Sequence, residues 1–235
     1  MDNRARVVVI VSSDISDIYF ANALLKEVNV VAVVVETQHR ATSSKQKFSK
    51  LVKGLAHPGA LYEKLKKSSA SKAYLEKAAK INYEGFGDEG IELREKDGVT
   101  VIRTEGVRQI NNQKYVDMIR DFKPDIIAVC GASILKDPMI SIPAQGILNL
   151  HGGLAQKYRG VWTTMWAIYN KEPEYVGATV HHINKNIDEG DIVYQGRPEI
   201  TPDDNHESLY VKVVKLGIKL MVRAVREIEE GTAPH

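Results

Sequence analysis

The run Arg6-Val7-Val8-Val9-Ile10-Val11 starts almost at the first residue and is apolar at every position after Arg6. A strand without polar alternation has to be buried on both faces, the condition of a parallel sheet covered by helices on each side. Ser12, Ser13 and Asp14 then read as a turn, followed by a helical stretch through Leu25 and a second buried strand from Val30 to Val35. Strand, helix, strand in this order opens a doubly wound α/β sheet.

The rhythm returns further along. Val99 to Arg103 reads as a strand, Gln113 to Phe122 as a helix and Asp125 to Cys130 as a strand, with Pro124 just ahead of it, where no ladder bond is lost. Gly146 to Leu150 reads as the next strand and Thr163 to Asn170 as a helix. Ala178 to Ile183 and Ile192 to Gln195 read as strands. Asn205 to Glu230 carries Leu209, Val213, Leu216, Leu220 and Val225 on one stripe, the pattern of a long amphipathic helix with Gly231 as its C-cap. The expected fold is a Rossmann-like, doubly wound, mostly parallel sheet with a helical insertion and a long C-terminal helix, one α/β domain over residues 1–235.

The insertion, about residues 38–90, interrupts the pattern. Gln38 to Lys80 holds eleven Lys or Arg against Glu63 and Glu76 alone. Two helical stretches are expected there, one around Phe48, Leu51 and Val52, the other from about Ala60 to Lys80. A break falls at His57-Pro58-Gly59, an interruption at Ser68-Ser69 and a loop from Gly85 to Gly90. A basic face of this kind is either solvated or turned toward a negatively charged substrate such as a nucleotide.

Composition narrows the setting. Hydrophobic residues make up 43% and charged residues 26% of the 235, enough for an ordinary core without disulfides. The one cysteine, Cys130, lies inside an apolar run and reads as a buried thiol in a reducing compartment. A net charge of +2 gives no basis for nucleic-acid or membrane binding. No apolar signal core or span-length apolar run occurs, so a cytoplasmic location is expected.

The segment Asn149-Leu150-His151-Gly152-Gly153 carries the chemistry. Asn149 and His151 stand two apart at a strand's carboxyl end, so both can face one cleft, where ligands bind in open parallel sheets. An amide can hold a developing oxyanion and an imidazole can manage a proton. Asp188, in the later turn Ile187-Asp188-Glu189-Gly190, offers a carboxylate. Alone, Asn-x-His is equally a strand ending in a turn, and Asp188 equally a turn residue.

The order Asn149-x-His151, Lys157-Tyr158-Arg159-Gly160, Gly177-x-Thr179-x-His181 and Ile187-Asp188 resembles the formyltransferases that use 10-formyltetrahydrofolate. The likeness is strongest from about Pro124 to Gln195 and does not cover the basic insertion. It implies N-formyl transfer with 10-formyltetrahydrofolate as donor co-substrate, no metal, and Asn149, His151 and Asp188 as the catalytic trio. It implies a donor pocket at Gly131, Ser133, Ile134 and Leu135, closed by Asn184 and Ile187. Ile134 and Leu135 serve there as walls or as core. His181 is the matching histidine of the pair His181-His182, and a structural role is expected for both.

Ser12 and Ser13, with Lys157, Tyr158 and Arg159, are the acceptor-side candidates; the last three either contact the acceptor or brace their loop. The chain departs from many relatives at Gly152-Gly153 and Gln156, which leaves loop mobility and a different acceptor both open. The first turn lacks the Gly-rich anion loop of the glycinamide ribonucleotide enzymes. Neither the extra C-terminal barrel of the methionyl-tRNA enzymes nor the N-terminal regulatory domain of the formyltetrahydrofolate hydrolases is expected. The expected acceptor is therefore a small amine, nucleotide-linked, best matched by an amino sugar. Nucleic acid and membrane are not expected as partners, and homo-oligomerisation is left open.

Overall fold

The structure, a computed structural model, describes residues 4–37, 58–184 and 190–233, with backbone alone for 58–71. Seven strands form one sheet: β1 Val7–Ser12, β2 Val30–Glu36, β3 Thr100–Arg103, β4 Ile126–Cys130, β5 Ile147–His151, β6 Ala178–His182 and β7 Ile192–Gly196. Their order across the sheet is β3-β2-β1-β4-β5-β6-β7. β1 to β5 run parallel, and β6 and β7 are added antiparallel. The helices are α1 Ile15–Glu27, α2 Pro58–Phe86, α3 Asp88–Ile91, α4 Gln113–Asp121, α5 Asp137–Ile140, α6 Thr163–Tyr169 and α7 His206–Glu230, with a 3-10 turn at Pro173–Tyr175.

The alternation of side chains along β1 divides the core. Val7, Val9 and Val11 join one cluster with Leu24 of α1 and Met221 and Val225 of α7. Val8 and Ile10 join the other, with Tyr115, Val116 and Ile119 of α4 and Met139 of α5. Every β1 and β4 residue is buried, as apolar runs without alternation require. α7 begins at Asn205, whose side chain accepts from Glu207 and Ser208 N–H while Ser208 Oγ accepts from Asn205 N–H, a reciprocal cap. It ends at Gly231 in the left-handed conformation, φ 69°.

The insertion differs from expectation in two places. Ser68-Ser69 does not interrupt α2, which runs unbroken from Pro58 to Phe86. Serine costs a helix only a few tenths of a kcal/mol, about the same as other middling residues, and Pro58 stands at the start, where its missing N–H is no loss. Gly85 to Gly90 is not a loop: α2 reaches Phe86 and α3 begins at Asp88. Two of its glycines serve close packing. A Cβ on Gly85 would stand 2.5 Å from Val211 Cγ1 of α7, and one on Gly90 would stand 2.5 Å from Ile15 Cγ1 of α1. The other expected helix of the insertion, around Phe48, and the break at His57 lie outside the described residues.

Candidate active site

β5 sets out the site. Asn149 pairs with Val129 of β4 on one side and His181 of β6 on the other, and His151 stands opposite Thr179. Asn149 Nδ2 donates to His181 Nε2 at 3.1 Å, and His181 Nδ1 lies 2.9 Å from the His182 carbonyl. A carbonyl only accepts, so Nδ1 carries the proton and Nε2 is the acceptor. That fixes which end of the Asn149 amide faces His181 and leaves its second N–H for other work. His182 faces the other way, and burial pushes its pKa below the ordinary histidine value.

His151 is buried, and its Nε2 donates to the Tyr158 carbonyl at 2.7 Å. In the neutral ring Nδ1 is then the nitrogen without a proton. Its ring meets that of His181 edge-on, with centroids 6.4 Å apart. The chain that follows is tightly held. Thr163 Oγ1 donates to the Gly152 carbonyl at 2.5 Å and Thr164 Oγ1 at 3.2 Å, and Thr179 Oγ1 donates to the Gly153 carbonyl at 2.6 Å.

Asn149, His151 and His181 line a cavity of about 310 Å³ together with Gly131, Ser133, Ile134, Leu135 and Asn184. The segment from Gly131 is anchored from beneath. Glu36, fully buried at the end of β2, accepts from Ser133 N–H at 2.7 Å and Ile110 N–H at 3.3 Å. Asn111 spans the same turn, donating to the Ile134 carbonyl and accepting from Lys136 N–H. Ile134 is 67% exposed at the cavity, whereas Leu135 is buried in the core while also touching it.

The five acceptor-side candidates do not line this cavity. Ser12 is buried, donating to Asp17 and accepting from Asp14 N–H, and Ser13 lies exposed beside it. Lys157 Nζ pairs with Glu172 at 2.5 Å and sits over the Tyr175 ring, and the Tyr158 hydroxyl also donates to Glu172. Arg159 Nε donates to the Ala155 carbonyl. Lys157 and Tyr158 thus brace the loop with their side chains, and Tyr158 serves His151 through its main chain. Gly160 and Val161 of that loop do reach the cavity. Asp188 and Ile187 lie outside the described residues.

Sequence reasoning passed over Glu36, Asn111, Asp17 and Tyr210. Each contributes from an element distant in sequence, and only a buried acid at the end of an apolar strand, as in Glu36, hinted at a site. Cys130 is buried as expected, and burial raises its thiol well above the ordinary value. Among the described residues no group of three or more His, Cys, Asp or Glu side chains could hold a metal, and no helix is long and apolar enough to cross a membrane.

The sequence pattern of the formyl transferase family matches residues 5–225. The chain belongs to the formyl transferase family. A methionyl-tRNA formyltransferase from Caldanaerobacter subterraneus subsp. tengcongensis is 31% identical over 141 residues, 60% of this chain and 45% of that protein. The chain thus spans less than half the length of such curated relatives. Among solved structures, glycinamide ribonucleotide transformylase 1 from Symbiobacterium toebii superposes with a TM-score of 0.61 at 16% identity, covering 98% of this chain and 90% of that one. A sugar N-formyltransferase from a Shewanella species gives 0.55 at 18% identity, covering 98% and 72%. These structural likenesses establish the formyl transferase fold.

Proposed function

We propose that this chain transfers a formyl group from 10-formyltetrahydrofolate to a primary amine, and that the acceptor is a nucleotide-linked amino sugar. The observation that carries the reading is the convergence of Asn149 and His151 on one cavity beside the anchored Gly131–Leu135 segment. The acceptor nitrogen attacks the formyl carbon, a C–N bond forms, and the carbonyl oxygen becomes an oxyanion. The second Asn149 N–H and the protonated Nδ1 of His151 are the donors for that oxygen. Collapse breaks the bond to N10 of the folate. The acceptor nitrogen loses one proton and N10 gains one, with His151 and Asp188 as the groups of matching chemistry.

Ser133, Ile134, Leu135, Asn184 and Ile187 are assigned to the donor. The amino-sugar assignment is supported by the first turn, which carries Ser12-Ser13-Asp14 in place of a glycine-rich anion loop. A second reading, with methionyl-tRNA as acceptor, is favoured by the sequence identity to those enzymes. The test is turnover of 10-formyltetrahydrofolate with a panel of nucleotide-linked 4-amino sugars, glycinamide ribonucleotide and methionyl-tRNA. Turnover with another amine and none with any sugar overturns the acceptor, and formate release without an amine overturns transfer.

A further inference from the structure

Asp17 is the one carboxylate among the described residues that line the cavity, and no Lys or Arg is among them. It stands in the first turn of α1, directly after β1, and is 5% exposed. Ser12 Oγ of β1 donates to Oδ2 at 2.5 Å, and Ser16 Oγ of α1 and Cys130 Sγ of β4 approach Oδ1 at 3.2 and 3.5 Å. Tyr210 of α7 meets Ser16 Oγ at 2.9 Å. Oδ2 also lies against the bare Cα of Gly131, at φ +68°, where a Cβ would stand 1.8 Å away.

This is the place where doubly wound sheets receive anions. The helix after the first strand presents its N–H groups and the positive end of its dipole to a phosphate. Here the N–H of Asp17 is turned to the Asp14 carbonyl and that of Asp14 to Ser12 Oγ. The negative charge at the helix end comes from Asp17 itself, an arrangement favourable to the dipole. A phosphate arriving there would meet Asp17 and Asp14 and, among the described lining residues, no cation. A group bringing an N–H or O–H donor would meet a carboxylate with about one acceptor site left, since an ionised carboxylate accepts about four bonds and three are taken by Ser12, Ser16 and Cys130.

We infer that Asp17 determines acceptor specificity: its carboxylate takes an ammonium or hydroxyl group of the acceptor and bars a phosphate from the crest of β1 and β4. The inference rests on the formyl-transfer reading of the cavity, and it places the acceptor beside β1, one strand beyond β4 from Asn149. Burial, with Asp14 adding repulsion, raises the Asp17 pKa to about 6. The other titratable groups around it are the Cys130 thiol and the Tyr210 phenol, both raised by burial and so neutral, with His151 and His181 lining the same cavity. The carboxylate is therefore available above about pH 6 and lost below it.

Asp17→Asn and Asp17→Ser, each checked for a cooperative melting transition, are assayed with 10-formyltetrahydrofolate and a nucleotide-linked 4-amino sugar. The expected result is an acceptor KM raised about tenfold in both, one hydrogen bond's worth, with donor KM unchanged. The gap between wild type and Asp17→Asn closes as pH falls through about 6. A purely structural role would move both KM values or neither, and an unchanged acceptor KM overturns the inference. Inorganic phosphate, titrated into the folate-loaded protein by phosphorus NMR, gives an arm independent of the acceptor. Both variants should bind it where the wild type does not, and equal binding overturns the inference. Failure of every sugar to react, with phosphate admitted only by the variants, overturns the proposed acceptor and not Asp17.

Discussion

Asn149 Nδ2 donates to Nε2 of His181 at 3.1 Å, across the antiparallel pairing of β5 and β6. The bond is directional because His181 is itself committed through Nδ1 to the His182 carbonyl. His181 therefore orients the Asn149 amide at the cavity wall. Removing a preorganised oxyanion donor lowers kcat about 10²- to 10³-fold, the loss expected for Asn149→Ala. His181→Ala leaves the donor in place but free to rotate, and should lower kcat about tenfold with donor KM nearly unchanged. Steady-state kinetics of the two variants check this. Wild-type kcat in His181→Ala would remove the aiming role.

The two adjacent glycines after His151 should respond differently to alanine. On Gly153 a Cβ would stand 2.8 Å from Thr163 Cβ and Oγ1 and 2.9 Å from His151 Nε2. On Gly152 the nearest contact is Val213 at 3.9 Å. Neither glycine has a positive φ, so the difference is one of space. Gly153→Ala should displace His151 and cut kcat about 10²-fold, with overpacking destabilising the fold by about 1–3 kcal/mol. Gly152→Ala should keep nearly full activity. Equal effects in kinetics and thermal melting would refute the assignment.

How much of this was legible in the sequence follows from what each feature depends on. β1, β2 and β4 are written in local apolar runs, and α7 in a local stripe between Asn205 and Gly231. Asn149 and His151 are two positions apart on one strand, so their shared direction follows from period-two geometry. The roles of Gly85 and Gly90 depend on Val211 and Ile15, partners that no local pattern names. The same holds for Lys157 and Tyr158, whose side chains turn to Glu172, and for Asp17, whose place in the cavity depends on the bare Gly131.

Glu36 offers a test of the proposed donor side through a residue that does not itself line the cavity. Its carboxylate accepts two backbone N–H groups, from Ser133 and Ile110. Glu36→Ala strands the buried Ile110 N–H, at a cost of about 1–3 kcal/mol, and releases the Gly131–Leu135 segment at Ser133. Glu36→Gln keeps one acceptor oxygen and should be milder. Both should raise donor KM more than acceptor KM, with Ala the larger. A change confined to the acceptor would show that this segment does not receive the folate.

Asp17 makes stability depend on pH in a direction opposite to most carboxylates. Its folded pKa of about 6 lies above the ordinary 3.8, so between these values the native state binds more protons than the unfolded chain. Stability then falls as pH rises, because the slope follows the protons bound by the unfolded minus the native state. The contribution is fully present below pH 3.8 and lost once pH has passed about 6, a difference of roughly 3 kcal/mol at about 1.4 kcal/mol per unit. Asp17→Asn removes the titration while keeping the shape. The variant should therefore gain on the wild type as pH rises through this window and hold that gain above it. Urea unfolding of both proteins on either side of the window measures the gap, and a gap independent of pH would show that Asp17 is ionised as readily in the fold as in water.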